Sequence, residues 1–242
     1  MYRRVGSWSR LTTVLLTPNM ARHYGLTPSE NIRLISACGA DTFFDQSLLP
    51  RPTAAGSLRL VGIGNLVRWK RWDLIVRALA LLPAEIRRII HFDVWGPIPD
   101  ETDAHAYAQE LKSLTNSLGL NDTVRFPGAT NQVSEVVTAS DVFVLPSTNE
   151  PCSVALIEAL ACGRPVLASR SGGNVDIVQD GQTGLLFTPE SAEDLARCLR
   201  RFLDGSFVPA SPEVIRESVR QRSATVVGAE YLRLYRELAA AH

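Results

Sequence analysis

Two glutamates, Glu150 and Glu158, stand eight positions apart in the run Pro146-Ser-Thr-Asn-Glu-Pro-Cys-Ser-Val-Ala-Leu-Ile-Glu-Ala-Leu-Ala-Cys-Gly-Arg-Pro-Val166. Residues 141–145 read as a short buried strand, and residues 153–162 as a helix that is apolar nearly all round and therefore buried. A carboxylate in the second turn of such a helix is costly to desolvate unless a partner meets it, so Glu158 demands a hydrogen-bonding neighbour. Glu150 falls in the strand-to-helix loop. Both acids can then face one crevice at the C-terminal edge of a parallel sheet, where open α/β folds bind ligands. The free N–H groups of residues 152–155 open the helix, and a helix N-terminus favours an anion such as phosphate. Two carboxylates around an anion site suit a ligand with hydroxyls and phosphates. A sugar nucleotide carries both.

Glu150 and Glu158, followed by Ala159-Leu-Ala-Cys-Gly-Arg-Pro-Val166, resemble the E-x7-E signature of retaining GT-B glycosyltransferases, in particular family 4, which includes sucrose synthases, glycogen synthases and mannosyltransferases. Further matches follow in the same order. Gly62-Ile-Gly64-Asn65 to Lys70 resembles the G-R-x3-4-K-G element that holds the donor diphosphate. Lys70 matches the lysine, Asn65 stands for the usual arginine and Arg71 for the glycine; the lost arginine removes a planar phosphate clamp, and Arg68 is the alternative supplier. Gly172-Gly173 resembles the G-G-x-P-E loop beside the donor sugar, with Val175 for the proline and Asp176 for the glutamate. The resemblance implies that Glu158 binds ribose hydroxyls, that Lys70 with the amides of Ser153 and Val154 holds the diphosphate, and that Glu150 contacts the sugar. The Ser153 hydroxyl also suits a helix cap. The implied activity is retaining, metal-independent hexosyl transfer from a UDP-, GDP- or ADP-linked sugar to an unknown acceptor. The same residues are compatible with a nucleotide-sugar-binding module without turnover, a subunit of a split transferase, or a nucleotide-sugar 2-epimerase.

Other chemistries find less support. The glycines of Gly62-Ile-Gly64-Asn-Leu-Val67 follow a strand, yet the third glycine position is Val67 and the second strand ends at Trp95-Gly96 without an acid for a ribose, which argues against a dinucleotide cofactor. His23, His91, His105 and His242 show no metal-ligand spacing, so no protein-bound metal or other cofactor is expected. Neither a nucleophile elbow nor a phosphate-binding P-loop occurs. Zero net charge gives no reason to expect nucleic acid as a partner. The four cysteines form no C-x-x-C pair and read as free thiols.

The elements that must position these residues alternate from residue 58 onward: strands at 58–63, 89–95, 124–126, 141–145, 165–168 and 184–187, and helices at 71–82, 104–118, 132–139, 153–162, 175–178 and 192–203. Repeated β-α units of this size predict an α/β fold with a Rossmann-like, doubly wound parallel sheet. The expected organisation is a remnant of an N-terminal acceptor domain and linker (1–56), a nucleotide-sugar-binding domain (57–206) and closing helices (207–242). Within the first segment the reading gives strands at 12–16 and 33–36, a helix at 20–24 and a linker bearing Pro50 and Pro52. Residues 32–44 resemble the family's interdomain hinge. So small a segment buries little core by itself, which predicts a homodimer or a separate N-terminal-domain subunit against it. No apolar run is long enough to span a bilayer and the first ten residues lead into no apolar signal region, so the reading places the chain in the cytoplasm, with peripheral contact at the inner membrane face compatible.

Overall fold

The computed structural model describes residues 12–29, 31–50 and 57–240. The described residues begin with β1 (Thr13–Leu15), α1 (Pro18–Tyr24), β2 (Ile32–Leu34) and the short α2 (Asp41–Asp45). β1 and β2 pair in parallel as a small sheet of their own. Thr17 caps α1 by accepting the Met20 N–H, and Gly25 in the left-handed region ends it. Pro52 of the expected linker lies outside the described residues.

The main sheet follows: β3 (Leu58–Ile63), β4 (Ile90–Trp95), β5 (Val124–Gly128), β6 (Val142–Leu145), β7 (Val166–Ser169) and β8 (Gly184–Phe187), ordered in space β5-β4-β3-β6-β7-β8 with every pair parallel. The connecting helices are α3 (Trp72–Ala80), α4 (Ala84–Arg87), α5 (Thr102–Ser117), α6 (Val133–Thr138) and α7 (Val154–Ala161); after β8 come α8 (Ala192–Leu203), α9 (Pro212–Glu217) and α10 (Ala224–Ala240). Strand side chains alternate between two cores, as the pleat requires. Val142 and Val144 of β6 join Ile75, Leu111 and Leu199 from α3, α5 and α8. Phe143 and Leu145 of the same strand turn to Leu156, Ile157 and Leu160 of α7. Helices thus cover both faces, and the expected doubly wound α/β fold is the one found.

The first segment is tied to the main body at several points. Phe44 of α2 enters the core beneath α7, and Val227 and Leu234 of α10 pack with Ile35. The Asp41 carboxylate accepts from the Thr225 N–H and hydroxyl at the start of α10, which holds its pKa below the usual carboxylate value. The last helix thereby crosses back to residues 35–41 of the first segment.

Candidate functional site

The order of strands reverses between β3 and β6, so the chain leaves these neighbours toward opposite faces and opens a crevice at their C-terminal ends. Three loops line it: residues 64–71 after β3, 146–153 after β6 and 170–176 after β7. Lys70, from the first, reaches Glu150, from the second, with Nζ 2.7 Å from Oε2. Their side chains are only 11% and 10% exposed. The Lys70 ammonium also lies 4.3 Å from the centre of the Trp69 ring, whose indole is half exposed at the rim.

Backbone hydrogen bonds lock the three loops together. The Thr148 N–H donates to the Trp69 carbonyl at 3.0 Å, the Asn149 N–H to Ser171 Oγ at 3.1 Å, and the Gly173 N–H to the Glu150 carbonyl at 2.7 Å. Beneath them the Ser169 hydroxyl donates to the Ser147 carbonyl, and Asn174 donates to the Ser169 carbonyl at 3.1 Å. The two glycines serve this docking: a Cβ on Gly172 would stand 2.1 Å from the Glu150 carbonyl oxygen, and one on Gly173 2.1 Å from that of Pro151. On this geometry their first role is to let the Glu150 loop approach, since any larger residue collides with its backbone.

Ser153 caps α7 by accepting the Leu156 N–H at 3.3 Å, and the first intrahelical bond is that of the Ile157 N–H to the Ser153 carbonyl. The N–H groups of Val154 and Ala155 precede it, and the Val154 side chain is exposed. Asn65 sits in the first loop with its carbonyl accepting the Trp72 indole N–H at 3.1 Å. Gly62 has a packing role, because a Cβ there would fall 2.5 Å from the Trp72 ring. Arg68 lies elsewhere: its guanidinium spans Asp103 and Glu110 of α5, at 2.8 and 2.7 Å, and stacks on Tyr107. Those acids raise its pKa and hold it away from Lys70. Arg71, in the position where the resembled motif has glycine, takes the left-handed φ of 55° that glycine favours and is braced by Asp73 and Glu190. Asp176 turns to the first segment, accepting the Asn19 N–H at 2.6 Å and pairing with Arg22. A cavity of about 180 Å³ lies between α1 and the glycine turn, lined by Asn19, His23, Asn149, Pro151, Gly172 and Gly173 among others.

Glu158 does meet the partner its burial demands, but across the chain: its carboxylate accepts the Ala40 N–H, and its Cγ lies against Gly39. Burial pushes its pKa up to about 7, with the Ala40 hydrogen bond opposing. A carboxyl raised above its unfolded value binds more protons in the native state, so its stabilising contribution is complete below about pH 4.5 and is lost as pH rises through about 7. Glu158→Gln keeps an oxygen acceptor for Ala40 and removes that loss. Discounting for partial solvent screening, urea denaturation at pH 8 is expected to find the variant more stable by about 1–2 kcal/mol, with the gap closing at pH 4.5. A gap independent of pH would show that Glu158 stays ionised.

A family model described as glycosyl transferases group 1 matches residues 52–222. D-inositol 3-phosphate glycosyltransferase of Actinosynnema mirum is 36% identical over 154 residues, covering 61% of this chain and 36% of that protein. Its namesake from Corynebacterium aurimucosum is 30% identical over 206 residues, covering 80% of this chain and 48% of that protein. Among solved structures, a glycosyltransferase from Rickettsia africae matches with TM-score 0.82 at 19% identity, over 98% of this chain and 66% of the other. Anabaena HepE in complex with UDP matches with TM-score 0.81 at 20% identity, over 97% and 66%. The two structural likenesses speak to the fold. The chain spans about a third to a half of the length of the curated relatives it matches.

Proposed function

The chain belongs to the glycosyl transferases group 1 family, and we propose that it forms the donor-binding half of a retaining, metal-independent hexosyltransferase that uses a nucleotide sugar. In this reading residues 57–206 bind the donor, residues 1–56 belong to an acceptor-binding domain with its linker, and residues 207–242 close the structure. The observation that carries it is the meeting of Lys70 and Glu150 across the crevice where the strand order reverses, beside the first turn of α7. A diphosphate there meets an ammonium and the N–H groups of Val154 and Ala155. The sugar then lies against Glu150 and the glycine turn, and the ribose toward Glu158.

The chemistry is front-face substitution. The bond from the anomeric carbon to the diphosphate oxygen breaks, the acceptor hydroxyl adds on the same face, and its proton passes to the departing phosphate. Fixed positive charge and oriented N–H dipoles stabilise the leaving group and need no reorganisation as charge develops. Inositol 3-phosphate, named in the relatives above, is the first acceptor to assay. In a second reading the domain binds its nucleotide sugar without turnover, or completes its site with a separate acceptor-domain subunit.

The test is thermal stabilisation by UDP, GDP, ADP and their glucose or mannose conjugates. Ligand at about 100 times its dissociation constant stabilises the fold by roughly 2.7 kcal/mol, a shift of several degrees. Glu158→Gln is expected to diminish the shift while the domain stays folded. A well-folded sample that responds to none of these ligands would refute the donor-site assignment, and measured transfer of the sugar separates the first reading from the second.

A further inference from the structure

The two groups assigned to the diphosphate and to the sugar of the donor are not free: each is the other's partner. Lys70 Nζ and Glu150 Oε2 are 2.7 Å apart and nearly buried, so the ammonium cannot turn fully to a diphosphate while it neutralises the carboxylate. The Glu150 backbone is not free to carry the released carboxylate into water. Its carbonyl is held by the Gly173 N–H at 2.7 Å and packed against Gly172, and the preceding residues are tied to Trp69 and Ser171. A bare nucleoside diphosphate that draws Lys70 away therefore strands a buried anion, which is strongly unfavourable. A sugar on the diphosphate supplies hydroxyl donors to that carboxylate at the same moment.

We propose that the Lys70–Glu150 pair is a latch that selects the intact nucleotide sugar over the nucleoside diphosphate, because only the former satisfies both halves of the opened pair. The proposal rests on the donor-site reading above. It has a second consequence for turnover: once the sugar has left, the pair re-forms behind the diphosphate and helps to expel it.

Calorimetric titration of UDP against UDP-glucose, and of GDP against GDP-mannose, tests the latch in wild type and Glu150→Gln. Charge removal alone would tighten both ligands of a pair together. The latch predicts opposite signs: Glu150→Gln binds the bare diphosphate about tenfold more tightly, since Lys70 is already free, and binds the nucleotide sugar more weakly, since a neutral amide is a poorer acceptor. Glu190→Gln, which removes an exposed acid paired with Arg71, is the charge control and is expected to leave the ratio unchanged. A ratio unaltered by Glu150→Gln in a protein that binds nucleotides overturns the latch alone. Absence of binding by every ligand overturns the donor-site reading and the latch with it. A measurement on the wild type keeps the test independent of the variant's folding. Lys70 and Lys112 are the chain's two lysines, so 15N-lysine spectra resolve them. The Lys70 signal is expected to move completely with saturating nucleotide sugar and to remain divided between two states with the bare diphosphate. A Lys70 signal that responds identically to both ligands would overturn the proposal.

Discussion

Lys70→Met is expected to lower stability by about 3–5 kcal/mol at pH 7 and to abolish nucleotide-sugar binding. Methionine keeps most of the unbranched apolar stem and forfeits the cation–π contact with Trp69. What it removes is the ammonium 2.7 Å from a carboxylate that is 10% exposed. The loop that carries Glu150 is pinned by hydrogen bonds from Thr148, Asn149 and Gly173, so the stranded charge has no easy route to water. For a chain of this size, 1 kcal/mol corresponds to roughly 2–4 °C, so the melting temperature falls by roughly 6 to 20 °C. The double variant Lys70→Met/Glu150→Gln removes the stranded charge and recovers most of the loss without restoring binding. Chemical denaturation of the four proteins closes the cycle. A single variant that loses less than about 1 kcal/mol would place the pair in the class of solvent-screened surface bridges.

Much of this architecture was legible because its signals are local. Each strand of the main sheet is a short apolar run between turn residues, and the reading places all six within about two residues of their observed bounds. Buried helices betray themselves by composition, as α7 does between Ser153 and Cys162. The short α2 and α4 escaped because five and four residues are too few to display a helical period. Partners distant in sequence escaped for a different reason. Periodicity says that Glu158 needs a hydrogen bond, yet nothing in it points to Ala40. Lys70 and Glu150 are singled out by the family resemblance, but their contact spans 80 residues and follows only from the strand order that sets β3 beside β6. Arg68 shows the same limit. Its sequence position suggests a phosphate clamp, while Asp103 and Glu110, about two turns apart along α5, draw it away.

Gly172→Ala is the substitution that tests whether the site depends on the approach of two loops, and it is expected to destabilise the protein by about 2–4 kcal/mol. Two effects add. Gly172 has φ of +56°, a conformation that strains an L-residue by about 1 kcal/mol or more. The new methyl would also stand 2.1 Å from the Glu150 carbonyl oxygen and 2.8 Å from its nitrogen and carbonyl carbon, all backbone atoms without a rotamer by which to withdraw. Gly181→Ala separates the terms, because Gly181 has φ of +81° and no atom within 4 Å of an added Cβ. It is expected to lose about 1 kcal/mol and to leave ligand binding intact. Relief of the Gly172 overlap requires the Glu150 backbone to move, which draws its carboxylate from Lys70 and weakens nucleotide-sugar binding by more than the stability loss explains. Denaturant titration and ligand-induced melting shifts of the two alanine variants decide the matter. Equal losses in both would show that the 146–153 loop yields freely, and that the close approach at Gly172 plays no part in holding Glu150 in place.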